Sequence, residues 1–314
     1  MLVDSLIIAG ATTLGDVQTT PDGRHLVVAT ESAGSLVLYD LTNPRHPTLV
    51  TRFEHADIAN GVHTAEVQTV NGRVYAFLCI DPRGSDKARL VIVDITTPST
   101  PAVVFSQIMG LPFVHDVFVR DGIMMTALWN DGISIFDIGG DGRGGSVASP
   151  VQMGTLKTVG GKAHNIFWDR DPQTGSKRYV FVGEEGPGAV PTSSIGDVHV
   201  VDVSDMANPK EVAFYNRPGA GVHNFSADET RGILYAAYYN GGVRAINMRG
   251  DLAACTAAQK SPDGRCELAK MGREVASWPA QGSAPVFIWG VHYADGKLYA
   301  SDMLNGLWRI STVP

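Results

Sequence analysis

HDVFVRDGIMMTALWNDGISIFD, residues 115–137, decides the fold. His115 opens a short apolar strand, Asp121-Gly122 turns the chain, and residues 123–129 form a second strand with few polar side chains. Asn130-Asp131-Gly132 makes another turn, and residues 132–137 close a third strand on an Asp. Such dipeptides between apolar runs are hairpin signals, because Gly, Asn and Asp tolerate the positive φ that tight turns demand. A fourth strand, 151–157, follows a Gly-rich turn.

The same order recurs along the chain. His63 opens a unit with strands at 73–80 and 88–94 and a fourth after Pro101. His164 leads to strands at 178–183, 197–202 and 210–215, and His223 to strands at 233–239, 242–247 and 273–278. Ahead of these lies a unit in which Asp16 stands near the His position, with strands at 25–30, 35–40 and 48–53. His292 opens the last unit, with strands at 297–301 and 306–311, and the sequence ends at Pro314 before a fourth. A repeat of about 50 residues is that of propeller blades. Residues 2–9 read as an unassigned strand, and pairing them with the last unit would leave no open sheet edge. The expectation is an all-β, six-bladed β-propeller with four-stranded blades, a single domain over 1–314, its ring closed by the N-terminal strand.

Composition narrows the function classes. Of 314 residues 18% are charged, with 35 Gly and 17 Pro, a mix that suits short strands and tight turns. The net charge is −7 and Lys/Arg runs never exceed two, which disfavours nucleic-acid and anionic-membrane partners. No stretch approaches the 18 or so apolar residues of a membrane span. Residues 1–15 lack the basic region and cleavage site of a signal peptide. Cys255 and Cys266 bracket a short loop containing Pro262-Asp263-Gly264, within an insertion at 251–271 of the fifth blade. A disulfide there would place the protein, its leader removed, in an oxidising compartment, periplasmic or secreted; two unrelated thiols in a cytoplasmic protein are the alternative. Cys79, among apolar residues, reads as inert core.

The third strands carry a further signal. Leu90-Val91-Ile92-Val93-Asp94 has variants in Leu36-Val37-Leu38-Tyr39-Asp40 and Val198-His199-Val200-Val201-Asp202. These strands, with turns such as Asp202-Val203-Ser204-Asp205 before Pro209, resemble the LVIVD-repeat family. Asn247 and Ser311 depart from the closing Asp, and the turn at 139–149 departs in its Pro spacing. The resemblance implies a propeller of bacterial, often extracytoplasmic, proteins and carries no single activity.

Most repeated residues have structural work. Asp40, Asp94, Asp137 and Asp202 are expected to cap the turns that follow them. Trp129, Trp168, Trp278 and Trp308 suit spaces between blades, while Trp289 is a candidate cover for the channel mouth. Residues 139–145 contain no Gly-Lys-Ser/Thr, and no Gly-x-Ser-x-Gly occurs, so neither a phosphate loop nor a serine nucleophile is indicated.

The histidines carry the chemistry. His63, His115, His164, His223 and His292 share one repeat position, each after a small or apolar residue at the start of an innermost strand, and are expected to gather at one channel mouth. Neutral imidazoles suit Zn, Fe, Mn, Cu or Ni; a structural ring that orders water is the competing reading. The loops after the second strands share that face and carry acidic residues. Among them Asp81, Asp131, Glu184 and Asp302 are candidate general bases, and the loop 184–196 is a candidate lid. His25, His46, His55 and His199 fall outside the ring and are assigned no chemistry. The expected function is a metal-binding propeller acting on a small-molecule substrate at the mouth, as a hydrolase or lyase. The alternative is a non-catalytic extracytoplasmic protein-interaction scaffold whose outer loops, such as the insertion, hold a protein partner.

Overall fold

Residues 89–94 and 197–202 are rich in β-branched side chains and buried on both faces, as strands between packed neighbours must be. The computed structural model describes residues 4–186, 188, 196–279 and 284–312. Six antiparallel sheets follow one another along the chain. Blade one comprises Leu14–Thr19, His25–Thr30, Ser35–Asp40 and Thr48–Glu54, and blade two Val62–Val70, Arg73–Ile80, Arg89–Asp94 and Ala102–Ile108. Blade three comprises Asp116–Arg120, Ile123–Ala127, Ile133–Asp137 and Val151–Leu156. Blade four comprises Ala163–Trp168, Tyr179–Glu184, Asp197–Asp202 and Lys210–Asn216. Blade five comprises Phe225–Asp228, Ile233–Ala237, Val243–Asn247 and Glu274–Trp278, and blade six Ile288–Ala294, Lys297–Asp302 and Gly306–Ile310. The fold is an all-β, six-bladed propeller.

The chain divides into two compact units, Met1–Met153 and Gly154–Pro314, with the boundary inside the outer strand of blade three. In the first, Leu36, Leu38, Leu78, Ile80 and Val91 pack blade one on blade two. Phe77, Leu90, Ile92, Val117 and Met124 then pack blade two on blade three. In the second, Phe181, Val200, Tyr215, Leu234 and Tyr238 fill the space between blades four and five. Tyr235, Ile288 and Leu298 do so between five and six. Trp168 is buried as expected, and the rings of Trp278 and Trp308 meet at 5.2 Å.

The strand-ending carboxylates cap their turns. Asp40, Asp94 and Asp202 accept the amides of Thr42, Thr96 and Ser204 at 2.6, 2.9 and 2.9 Å. Asp137 gathers the amides of Gly139, Gly140, Asp141, Arg143 and Gly145, so the Gly-rich turn wraps a carboxylate rather than a phosphate.

Two details differ from expectation. The sixth sheet has three strands among the described residues, and of residues 2–9, expected to supply its fourth, the described part, Asp4–Ala9, forms no strand. That segment is held against blade one instead: Ile8 packs on Val28, Val37 and Tyr39, Arg52 Nη1 donates to the Ala9 carbonyl at 2.6 Å, and Asp4 meets His46 at 3.2 Å. Residues 1–3 lie outside the described residues. The insertion holds the expected Cys255–Cys266 disulfide, but it does not stay with blade five. Cys266–Glu267 pairs in parallel with the outer strand of blade four, Cys266 opposite Ala213 and Glu267 opposite Phe214.

Candidate functional site

Irregular pairing singles out the histidines. In blade two Val62 pairs with Ile80 and Thr64 with Cys79, which leaves His63 as an extra residue. In blade four Ala163 pairs with Glu184 and Asn165 with Gly183, which leaves His164 extra. A bulge of this kind lifts one side chain out of the alternation and re-aims it. His115 and His223 stand at the corresponding point of blades three and five, donating backbone N–H groups to the carbonyls of Ala127 and Ala237 at 2.8 Å.

Blade six breaks the pattern. Ile288 pairs with Asp302 and Gly290 with Ser301, so the bulged residue is Trp289. His292 lies three residues further on, opposite Tyr299 and exposed, and does not hold the position of the other four. Blade one has Gly15 there, beside Asp16. A Cβ on Gly15 would sit 2.2 Å from the His63 carbonyl oxygen, so no side chain fits.

In the first unit His63 Nε2 lies 3.1 Å from His115 Nε2. The other His63 nitrogen, Nδ1, faces Glu31 Oε1 at 3.2 Å and Asp81 Oδ2 at 3.4 Å. Burial raises the Asp81 carboxyl above its ordinary range, the nearby Glu31 adds to this, and His63 opposes it. Thr64 Oγ1 donates to the His115 carbonyl at 2.8 Å, and the Trp129 ring stacks on the His115 imidazole at 5.3 Å. Trp129 therefore abuts a site residue rather than filling only the space between blades.

In the second unit the rings of His164 and His223 lie 4.2 Å apart. With Glu185 they offer three ligand atoms within 4.8 Å of one another; Glu31, His63 and Asp81 form the other such group among the described residues. The Tyr239 hydroxyl donates to Glu185 Oε1. Burial, then the Glu185 charge, raises the Tyr239 phenol well above its usual value, so it stays a donor. Tyr239 adopts a φ of +40°, and its ring meets His223 at 5.3 Å and Phe287 at 4.8 Å.

The four candidate bases separate. Asp81 stands beside His63, as above. Asp131 is exposed on the turn after Trp129. Asp302 is buried and accepts from the amides of Phe287 and Leu304, from Asn305 Nδ2 and from Trp308 Nε1, which saturates it as a structural cap. Glu184 is engaged away from His164 and His223: Thr158 Oγ1 donates to it at 2.5 Å, and its other oxygen lies 3.1 Å from His199 Nε2. The strand ends at Glu184, and it is the next residue, Glu185, that joins His164 and His223. Of the proposed lid at 184–196, residues 187 and 189–195 lie outside the described residues.

His199 has a structural role that its sequence position hides. It is fully buried, with Nδ1 2.6 Å from Glu211, which also takes a bond from Arg265 of the insertion. Burial alone would depress its pKa, but hydrogen bonds and charges from Glu184 and Glu211 outweigh this and push it up to about 10.

Two segments, residues 84–107 and 194–217, match the LVIVD repeat, and they contain the third strands of blades two and four. The chain is thus a propeller carrying LVIVD repeats, a repeat associated with this fold. A search of curated proteins gave no match. Among solved structures, a chain of the mitotic checkpoint complex is similar at 12% identity and a TM-score of 0.62, over 95% of this chain and 75% of that one. The C-terminal WD40 domain of Sif2 is similar at 12% identity and a TM-score of 0.57, over 96% and 70%. The structure of U3-55K gives 10% and 0.56, over 91% and 72%. At these identities the likeness concerns the fold alone.

Proposed function

We propose that this propeller binds a transition-metal ion through His164, His223 and Glu185 and acts on a small molecule there, as a hydrolase or lyase. The observation that carries the reading is the convergence of three ligand atoms within 4.8 Å, two of them imidazole nitrogens. Two imidazoles and a carboxylate suit Zn, Fe, Mn, Cu or Ni and leave a position for water or substrate. The first unit supports the same chemistry. The His63 and His115 Nε2 atoms are 3.1 Å apart, so an ion ~2.1 Å from both would subtend about 95°, a common ligand angle. Glu31 and Asp81 orient His63 through Nδ1, the usual way a carboxylate fixes a ligand imidazole. A bound ion would polarise the substrate or lower the pKa of a water. Within the first unit, Asp81, its carboxyl raised by burial and lying 3.4 Å from His63 Nδ1, is the candidate base for an ion held by that unit's histidines. The Cys255–Cys266 disulfide supports a periplasmic or secreted location. No helix among the described residues is long and apolar enough to cross a membrane.

Elemental analysis of untagged protein tests this. Transition metal should co-purify or load in stoichiometric amount, and His164→Ala with His223→Ala should remove it while far-UV circular dichroism is unchanged. A parallel His63→Ala, His115→Ala protein reads whether the first unit contributes to the same count. Full occupancy in the His164/His223 variant would sink the reading.

Tyr239 should tune the site. Tyr239→Phe keeps the buried ring but removes the donor to Glu185, and is expected to weaken metal affinity about 10- to 100-fold. Competition with a chromogenic chelator measures this; an unchanged affinity would mean that the Tyr239–Glu185 bond does not tune the site.

A further inference from the structure

We propose that the ligand taken by the His164–His223–Glu185 site is a flat aromatic ring bearing a metal-ligating oxygen, with its ring stacked on the indole of Trp289. This rests on the metal reading above and adds the class of compound.

Trp289 occupies in blade six the bulge position that His63 and His164 occupy in theirs. Its side chain is thereby aimed with the imidazoles, and its ring lies 5.0 Å from His223 and 6.3 Å from Tyr239. Yet it is 40% exposed, whereas Tyr239 is buried. A large apolar ring left open beside polar donor groups is the usual furniture of a small-molecule site.

The indole is also held in place. Ile288 and Tyr239 exchange backbone hydrogen bonds at 2.9 and 3.0 Å, Asn224 donates to the Trp289 carbonyl at 3.4 Å, and Gly290 donates to Ser301 Oγ at 2.9 Å. A rigid stacking surface loses little entropy when a ring settles on it. Its ring neighbours, His223 and Tyr239, and Phe287 beyond them, form an aromatic wall. A sugar stacked there would need polar partners for several hydroxyls. A phenolic ring needs a flat apolar face, which the indole supplies, and one oxygen on the ion that His164, His223 and Glu185 would hold.

The experiment uses the full chain loaded with zinc, which is redox-inert, and titrates catechol and cyclohexane-1,2-diol by calorimetry, with zinc content measured in parallel. Catechol should bind several-fold more tightly than the saturated diol. Trp289→Ala should weaken catechol about 5- to 10-fold, the size of one aromatic contact, and Trp289→Phe should recover most of the loss. Equal affinity for the two diols, or unchanged catechol affinity in zinc-loaded Trp289→Ala, overturns the aromatic subsite alone. Failure to take up zinc overturns the metal reading and with it the ligating oxygen.

Discussion

Replacing His199 by leucine is expected to lower the unfolding free energy by about 3–5 kcal/mol, read from the midpoint of chemical denaturation. The imidazole is fully buried between Glu184 at 3.1 Å and Glu211 at 2.6 Å. Leucine fills much of the volume but leaves two buried carboxylates without their shared cation, and a buried charge stripped of its partner is far more costly than the intact pair was beneficial. Arg265 compensates Glu211 in part, so Glu184 bears most of the loss. The effect has a pH signature. The folded-state pKa of His199 is raised to about 10, above the unfolded value of about 6.5. The folded protein therefore keeps a proton that the unfolded chain releases. Its stabilisation is complete below about pH 6.5 and is lost as pH climbs toward 10. Wild-type stability should fall across that window, and the His199→Leu protein should lack this component of the fall. A variant with a wild-type midpoint and an unchanged alkaline slope would show that the imidazole is not the charged keystone of blade four.

Removing the disulfide should have the next largest effect. Cys255 and Cys266 close a loop with a sequence separation of 11, for which chain entropy gives about 2–3 kcal/mol. Cys266 adjoins Arg265, and it is buried where the insertion pairs with blade four. Loss of the crosslink thus loosens the segment that delivers a guanidinium to Glu211. Cys255→Ala with Cys266→Ala should shift the denaturation midpoint accordingly, and wild-type protein in reductant should match it. If thiol titration confirmed reduction while the midpoint stayed put, the crosslink would be dispensable.

The propeller was legible because blades repeat local patterns. The third strands at 36–40, 90–94 and 198–202 announce themselves through β-branched runs ending in Asp, and the capping role of that Asp follows from the turn it precedes. The four histidines at 63, 115, 164 and 223 were legible for the same reason. What escaped is set by register and by long-range contact. A bulge adds one residue without marking the sequence, so Trp289 takes the place expected of His292. Nor does the sequence mark that Glu184 is taken up by Thr158 and His199, so that Glu185, just past the strand end, meets the imidazoles. The His199 network joins residues 158, 184, 199, 211 and 265, and no local pattern links them.

The two-residue parallel strand at Cys266–Glu267 bears on how the second unit comes apart. It departs from blade five yet ends in the ladder of blade four, where Leu268 also donates to the Phe214 carbonyl at 2.8 Å. Blade five cannot peel away without uncovering the outer edge of blade four and pulling Leu252 and Leu268 out of their shared core. Slow amide protons in the two blades are then released by one common opening event rather than by separate fraying, so these blades form a single unit of exchange.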